Sequence, residues 1–108
     1  MKLEDKVDIS ILNDMYGKLL TTHQREMVRL YYDCDISLFE ISEQFGISRQ
    51  AVRDSLVRAE KSLVSYEEKL GIVKKNKEIT NMLNKISDIT TDANVKKEVL
   101  KVIDKVEE

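Results

Sequence analysis

From Ser37 to Gly71 the chain reads SLFEISEQFGISRQAVRDSLVRAEKSLVSYEEKLG. This is a short amphipathic run, a glycine, and a much longer amphipathic run that a second glycine closes. Ser37 stands before Leu38 with Glu40 three places on, the capping box that opens a helix. Gly46 offers the left-handed residue on which a helix most readily ends. Ser48 then caps a second helix, which the spacing carries to Leu70, where Gly71 stops it. A short and a long helix joined in this way form a helix-turn-helix, whose second helix presents its first turns as a reading edge.

The rest of the chain agrees with that beginning. Proline is absent and glycine occurs three times, so little interrupts helices, and turn-rich β architectures lack their turn residues. The reading is an all-α fold: a helix-turn-helix with an extended fourth helix and two C-terminal helices. Met1 to Val7 is mostly polar and expected to fray. Asp8 to Leu20 forms the first helix, with Ile9, Leu12, Tyr16, Leu19 and Leu20 on one stripe. Gly17 either weakens that helix or permits close packing against a neighbour. Thr21 caps the second helix, with Gln24 completing a capping box. Met27, Val28, Leu30 and Tyr31 face the core, and the helix ends near Tyr32. Asp33 to Ser37 is a largely polar connection.

Beyond Gly71, a fifth helix is expected over Asn76 to Ile89. Thr90, Thr91 and Asp92 restart the chain for a sixth, on which Val95, Val99, Val102, Ile103 and Val106 share a face. Two parts result: residues 1–71 as the helix-turn-helix domain, and 72–108 as a helical extension packed on it.

Within the motif, Ile41, Phe45, Ile47 and Val52 occupy the positions that pack the two helices together. Ser42 stands where a small apolar residue is expected. If Val52, Leu56 and Ala59 face inward, helical geometry turns Arg49, Gln50, Arg53 and Val57 outward. Gln can bond adenine with both parts of its amide, and Arg can make a paired contact to guanine. The first amides after Ser48 favour a phosphate, and Arg25 and Arg29 are candidates for added backbone contacts. The nucleic-acid-binding candidates are therefore Ser48, Arg49, Gln50 and Arg53. The same residues also suit a solvated helix start, and the same geometry also serves as a protein-docking scaffold.

Val52, Leu56, Ala59, Leu63, Tyr66 and Leu70 follow one another at spacings of 4, 3, 4, 3 and 4, the pattern of a helix packing along another. This seam fits either the two C-terminal helices of the same chain or a homodimer.

Chemistry of other kinds has little to work with. His23 lies in a first helical turn, where a solvated or capping role fits best. One histidine and one cysteine make no zinc-ligand set. Glu67 and Glu68 are neighbours that do not converge, no glycine-rich phosphate loop occurs, and Cys34 lacks an evident base. Neither catalytic residues, metal nor cofactor is expected. Lys74, Lys75 and Lys77 read as a solvated helix start or linker. The formal charge of −2 argues against tight non-specific phosphate binding. No run is apolar enough to insert in a membrane, no signal peptide core opens the chain, and the single cysteine excludes an intrachain disulfide. These features together suggest the cytoplasm.

LYY at Leu30 to Tyr32, SLFEIS at Ser37 to Ser42, SRQAVRD at Ser48 to Asp54, RAEKSL at Arg58 to Leu63 and YEEKL at Tyr66 to Leu70 together resemble the YlxM-like helix-turn-helix family. The similarity covers about Asp8 to Val73. It implies a fold like region 4 of bacterial sigma factors, a winged-helix-repressor-type DNA-binding-like arrangement, followed by extra helices. It also implies a regulatory or accessory role in the signal recognition particle pathway, from the proximity of the family's genes to that of the particle's GTPase, and no enzymatic activity. The implied partners are the particle's RNA or its GTPase on one side and DNA on the other. Arg53 stands where an aromatic is frequent in the family, and Ser42 where alanine is usual.

Overall fold

The computed structural model describes the backbone of residues 3–107 and side chains from Ile9 onward. Among these residues there are six α-helices and no strand. They are α1 (Leu3–Tyr16), α2 (Thr22–Val28), α3 (Leu38–Phe45), α4 (Arg49–Leu70), α5 (Ile72–Ile89) and α6 (Ala93–Glu107). The chain divides into two compact units at the Leu70–Gly71 junction.

Helix α1 begins at Leu3, five residues before the expected Asp8, so the segment expected to fray is helical from Leu3; Met1 and Lys2 lie outside the described residues. It ends at Tyr16, and Gly17–Leu19 tightens into a 3₁₀ turn. Three residues per turn in place of 3.6 rotates the next side chains, which leaves Leu19 58% exposed instead of on the core stripe. Gly17 takes the close-packing role. A Cβ there would lie 2.7 Å from Asn13 Oδ1 and 3.1 Å from Arg25 Cγ.

Thr21 caps α2 through the full reciprocal box with Gln24. The helix then widens into a π turn over Arg29–Asp33. The extra residue in that turn shifts the register, so Tyr32 is buried and Tyr31, expected inside, is half-buried. Tyr32 Oη donates to Glu60 Oε1 of α4. Asp35 makes the following corner with a left-handed φ of 53°, and Ile36 N donates to Leu30 O at 3.0 Å.

Ser37 Oγ accepts from Glu40 N at 3.1 Å to start α3. Gly46 closes it at φ 67°, ψ 33°. Gly46 N donates to Glu43 O and Ile47 N to Ser42 O, the paired bonds of a Schellman ending. That ending takes Ile47 out of the role expected for it: it belongs to the cap and is 40% exposed. Ser42 is buried, as a small residue between the helices must be, and its hydroxyl donates to Phe39 O at 2.6 Å. The serine thereby satisfies its own polarity inside the helix.

Helix α4 is the axis of the first unit. Val52, Leu56, Ala59 and Leu63 are buried against α1, α2 and α3. The apolar seam is thus consumed by the unit's own helices along most of its length. Tyr66 is half-buried, its ring 6.0 Å from that of Tyr16, and Leu70 is 57% exposed. Tyr16 Oη also donates to Glu67 Oε1 at 2.5 Å, so Glu67 ties α1 to α4 while Glu68 faces solvent.

Gly71 stops α4 at φ 62°. One left-handed residue is the whole break, and α5 resumes at Ile72, four residues earlier than Asn76. Lys74, Lys75 and Lys77 accordingly lie in its first turns and are exposed. Asp92 Oδ1 accepts from Asn94 N and Val95 N to start α6, as its position after Thr90 and Thr91 suggests. Within this second unit α5 and α6 form a hairpin, and Asn76 Nδ2 donates to Val106 O at 3.4 Å.

Candidate nucleic-acid interface

The candidate reading edge is built by two local rules. Ser48 Oγ accepts from Ala51 N at 3.0 Å, which fixes where α4 starts. The inward set Val52, Leu56 and Ala59 then fixes its rotation, and the opposite face carries Arg49, Gln50, Arg53 and Val57, all exposed. The four proposed contact residues are thus adjacent on one solvent-facing surface. Amides at a helix start have no carbonyl within the helix to bond, so the backbone at Arg49 and Gln50 can meet a phosphate or carboxylate.

Two of the reading side chains have intramolecular partners. The Arg49 guanidinium carbon sits 5.8 Å from the centre of the Phe39 ring, a cation–π contact that steadies an otherwise free side chain. Gln50 Nε2 donates to Asp54 Oδ1 at 2.9 Å. A ligand docking at this edge would have to displace these contacts or use them as supports. Phe39 is itself 53% exposed, and with Ile47 and Val57 it gives the edge an apolar component. Phe39 was not among the sequence candidates. The available signal was that it falls off the stripe of Leu38, Ile41, Ser42 and Phe45.

Arg25 and Arg29, the candidates for flanking backbone contacts, sit differently. They line a cleft of about 290 Å³ with Asn13, Asp14, Thr22, Glu26 and Asp33. Arg29 Nε donates to Glu26 Oε2 at 3.0 Å and its second fork nitrogen to Oε1. Arg29 Nη1 lies 3.4 Å from Cys34 Sγ. The Glu26 carboxyl is held below the usual range, chiefly by its hydrogen bond from Arg29. Asp14 is pushed up, first by burial and then by Asp33, against the opposing pull of Arg25. Carboxylates therefore answer the arginines, and this flank is not a basic platform. Inside the cleft wall, Asn13 Nδ2 donates to Arg25 O at 3.3 Å, while Oδ1 has no partner.

His23 packs edge-on against Phe45, ring centres 5.3 Å apart. No group of three or more His, Cys, Asp or Glu side chains able to hold a metal occurs among the described residues. None of their helices is long and apolar enough to cross a membrane.

Comparison with known proteins identifies the family. Residues 3–103 match the family described as "UPF0122: Putative helix-turn-helix protein, YlxM / p13 like". The chain is 47% identical over 106 residues to a UPF0122 protein of Thermoanaerobacter sp. strain X514, covering 95% of this chain and 91% of that one. It is 39% identical over 107 residues to the UPF0122 protein YlxM of Bacillus subtilis strain 168, covering 99% and 97%. A UPF0122 protein of Clostridium botulinum strain Alaska E43 is 46% identical over 90 residues, covering 80% of this chain and 83% of its own.

Proposed function

The chain belongs to the YlxM/p13-like helix-turn-helix family, and from that premise we propose that it is a non-enzymatic accessory or regulatory factor of the signal recognition particle pathway, working through the edge of α3 and α4. The observation that carries this reading is the composition of the edge. Only Arg49 and Arg53 supply positive charge there, beside the exposed apolar side chains of Phe39, Ile47 and Val57. The unit that bears it has ten basic and thirteen acidic residues up to Leu70. A surface of this kind suits a compact target with apolar or unstacked elements, such as the particle's GTPase or an irregular part of its RNA. It is less suited to a long duplex held mainly by phosphate contacts. The pathway itself comes from the family resemblance of SRQAVRD, RAEKSL and YEEKL.

A second reading, a sequence-specific DNA-binding transcription regulator, is favoured by one observation: Arg49, Gln50 and Arg53 stand together at the start of the long helix, where a major groove is read. Both readings place the protein in the cytoplasm.

Binding of the full chain to the particle's RNA, to its GTPase and to duplex DNA from its own promoter region, each at two salt concentrations, separates them. The first reading expects tight binding to the RNA or the GTPase. Tighter binding to the promoter duplex, falling steeply with salt, overturns it in favour of the second.

A further inference from the structure

The helical hairpin of the second unit leaves one face uncovered. Met82 is 64% and Ile89 82% exposed, and Ile86, Val95 and Val102 are also open to solvent. Helix α5 buries no residue at all, while α6 buries Val99 and Ile103. Helical projection places Met82, Ile86 and Ile89 on the same side of the hairpin as Val95 and Val102. A shallow, largely open depression of about 330 Å³, lined by Leu83 of α5 and by Asn94, Val95, Glu98, Val99 and Val102 of α6, lies on that side. The face is apolar from Met82 to Ile89, with the exposed Lys75 on the same stripe two turns before Met82, and a two-helix unit of fewer than about 40 residues rarely buries enough surface by itself.

We propose that this face binds the same face of a second copy of the chain, pairing two hairpins into an antiparallel four-helix bundle. The charges at its margin carry the choice of occupant. Glu78 and Lys85 flank the face on α5, seven residues apart, and Glu98 and Lys105 flank it on α6, again seven apart. The Asn76–Val106 bond marks the register of the hairpin, which sets Glu78 within about one residue of the level of Lys105, and Lys85 within about one residue of that of Glu98. A twofold axis parallel to the helices places α5 of one copy against α6 of the other without changing those levels. Each Glu78 then meets Lys105 of the second copy, and each Lys85 meets its Glu98. The self-matched pattern is what an isologous interface requires. The exchange asks little of Glu98, whose pair with Lys101 is exposed on both sides. From Gly71 onward eight lysines face seven acids, so two hairpins meet without net repulsion. The exposed surface of Met82, Ile86, Ile89, Val95 and Val102 amounts to roughly 500 Å² per copy, so the charged margin must contribute for the pair to reach the lower end of specific interfaces. The seam on α4 is not involved, since its buried part is already occupied.

Sedimentation equilibrium of the full chain between roughly 1 and 100 micromolar tests this. The wild type is expected to reach twice the monomer mass. The pair Glu78→Lys with Lys85→Glu keeps the net charge and should weaken association at least about tenfold, because four like-charge contacts replace four attractive ones. Adding Glu98→Lys and Lys105→Glu should restore it to within about threefold of wild type. Far-ultraviolet circular dichroism confirms that each variant remains helical. A wild type that stays monomeric throughout overturns the proposal, as does a dimer indifferent to the first reversal or not restored by the second. Association with some other protein by a chain that does not self-associate overturns it equally.

Discussion

Replacing Gly17 by alanine should destabilise the first unit, although helix propensity alone predicts the opposite. Alanine is favoured over glycine in helical segments by about 0.5–1 kcal/mol. In this fold the added methyl would sit 2.7 Å from Asn13 Oδ1, 3.1 Å from Arg25 Cγ and 3.2 Å from Arg25 Nε. Asn13 is buried and holds Arg25 O through its amide, so it cannot swing aside without giving up that bond. Overpacking of this kind costs about 1–3 kcal/mol, and a lost amide hydrogen bond adds about 0.5–1.5 kcal/mol. With the propensity gain set against these costs, the balance is a net loss of roughly 0.5–4 kcal/mol. All four tyrosines lie in the first unit and tryptophan is absent, so tyrosine fluorescence reports on that unit alone during thermal melting. A loss of that size lowers its midpoint by roughly 2–30 °C. Asn13→Ala in the same background should recover part of the loss, because it removes the atom the methyl strikes. A Gly17→Ala protein with a midpoint equal to or above wild type would refute the close-packing argument.

Three further outcomes follow from the same structure. Tyr32→Phe removes the bond to Glu60 that anchors the π turn to α4 and should cost about 1 kcal/mol in the same melt. Gly46→Ala meets nothing within 4 Å but keeps a φ of +67°; its cost, about 1–2 kcal/mol, is purely conformational and should not be relieved by trimming neighbours. Asp14 holds its proton more tightly in the folded protein than in the unfolded chain, by burial and by Asp33. Its contribution therefore falls as pH rises from the ordinary value of 3.8 through the raised folded value. Asp14→Asn should accordingly stabilise the first unit at neutral pH, with the gain vanishing in acid; urea titrations at several pH values measure it.

The caps were legible because they are local. Thr21 with Gln24, Ser37, Gly46, Ser48 and Gly71 each act through atoms within a few residues, and sequence spacing reports such atoms directly. The buried half of the α4 seam was legible for the same reason, as periodicity records which face is wet. What covers that seam was not, since any amphipathic helix could do so, and here α1 to α3 do. The π turn was hidden because it depends on Tyr32 reaching Glu60 twenty-eight residues away, and with it went the identity of the buried tyrosine. At the reading edge the four candidate residues could be placed, but their partners were only half visible. Gln50 with Asp54 lies at a helical spacing that could have been read, as does Arg29 with Glu26 on the separate flank. The Phe39 contact with Arg49 crosses the turn and needed the fold.

In the proposed function the first turns of α4 are the contact surface. Affinity of the full chain for the best ligand among the particle's RNA, its GTPase and the promoter duplex, measured beside the double variant Arg49→Ala with Gln50→Ala, tests it directly. Loss of a charged hydrogen-bonding head and an amide should weaken binding at least about tenfold while the melting midpoint stays near wild type. Unchanged affinity in the double variant would remove Arg49 and Gln50 from the contact surface.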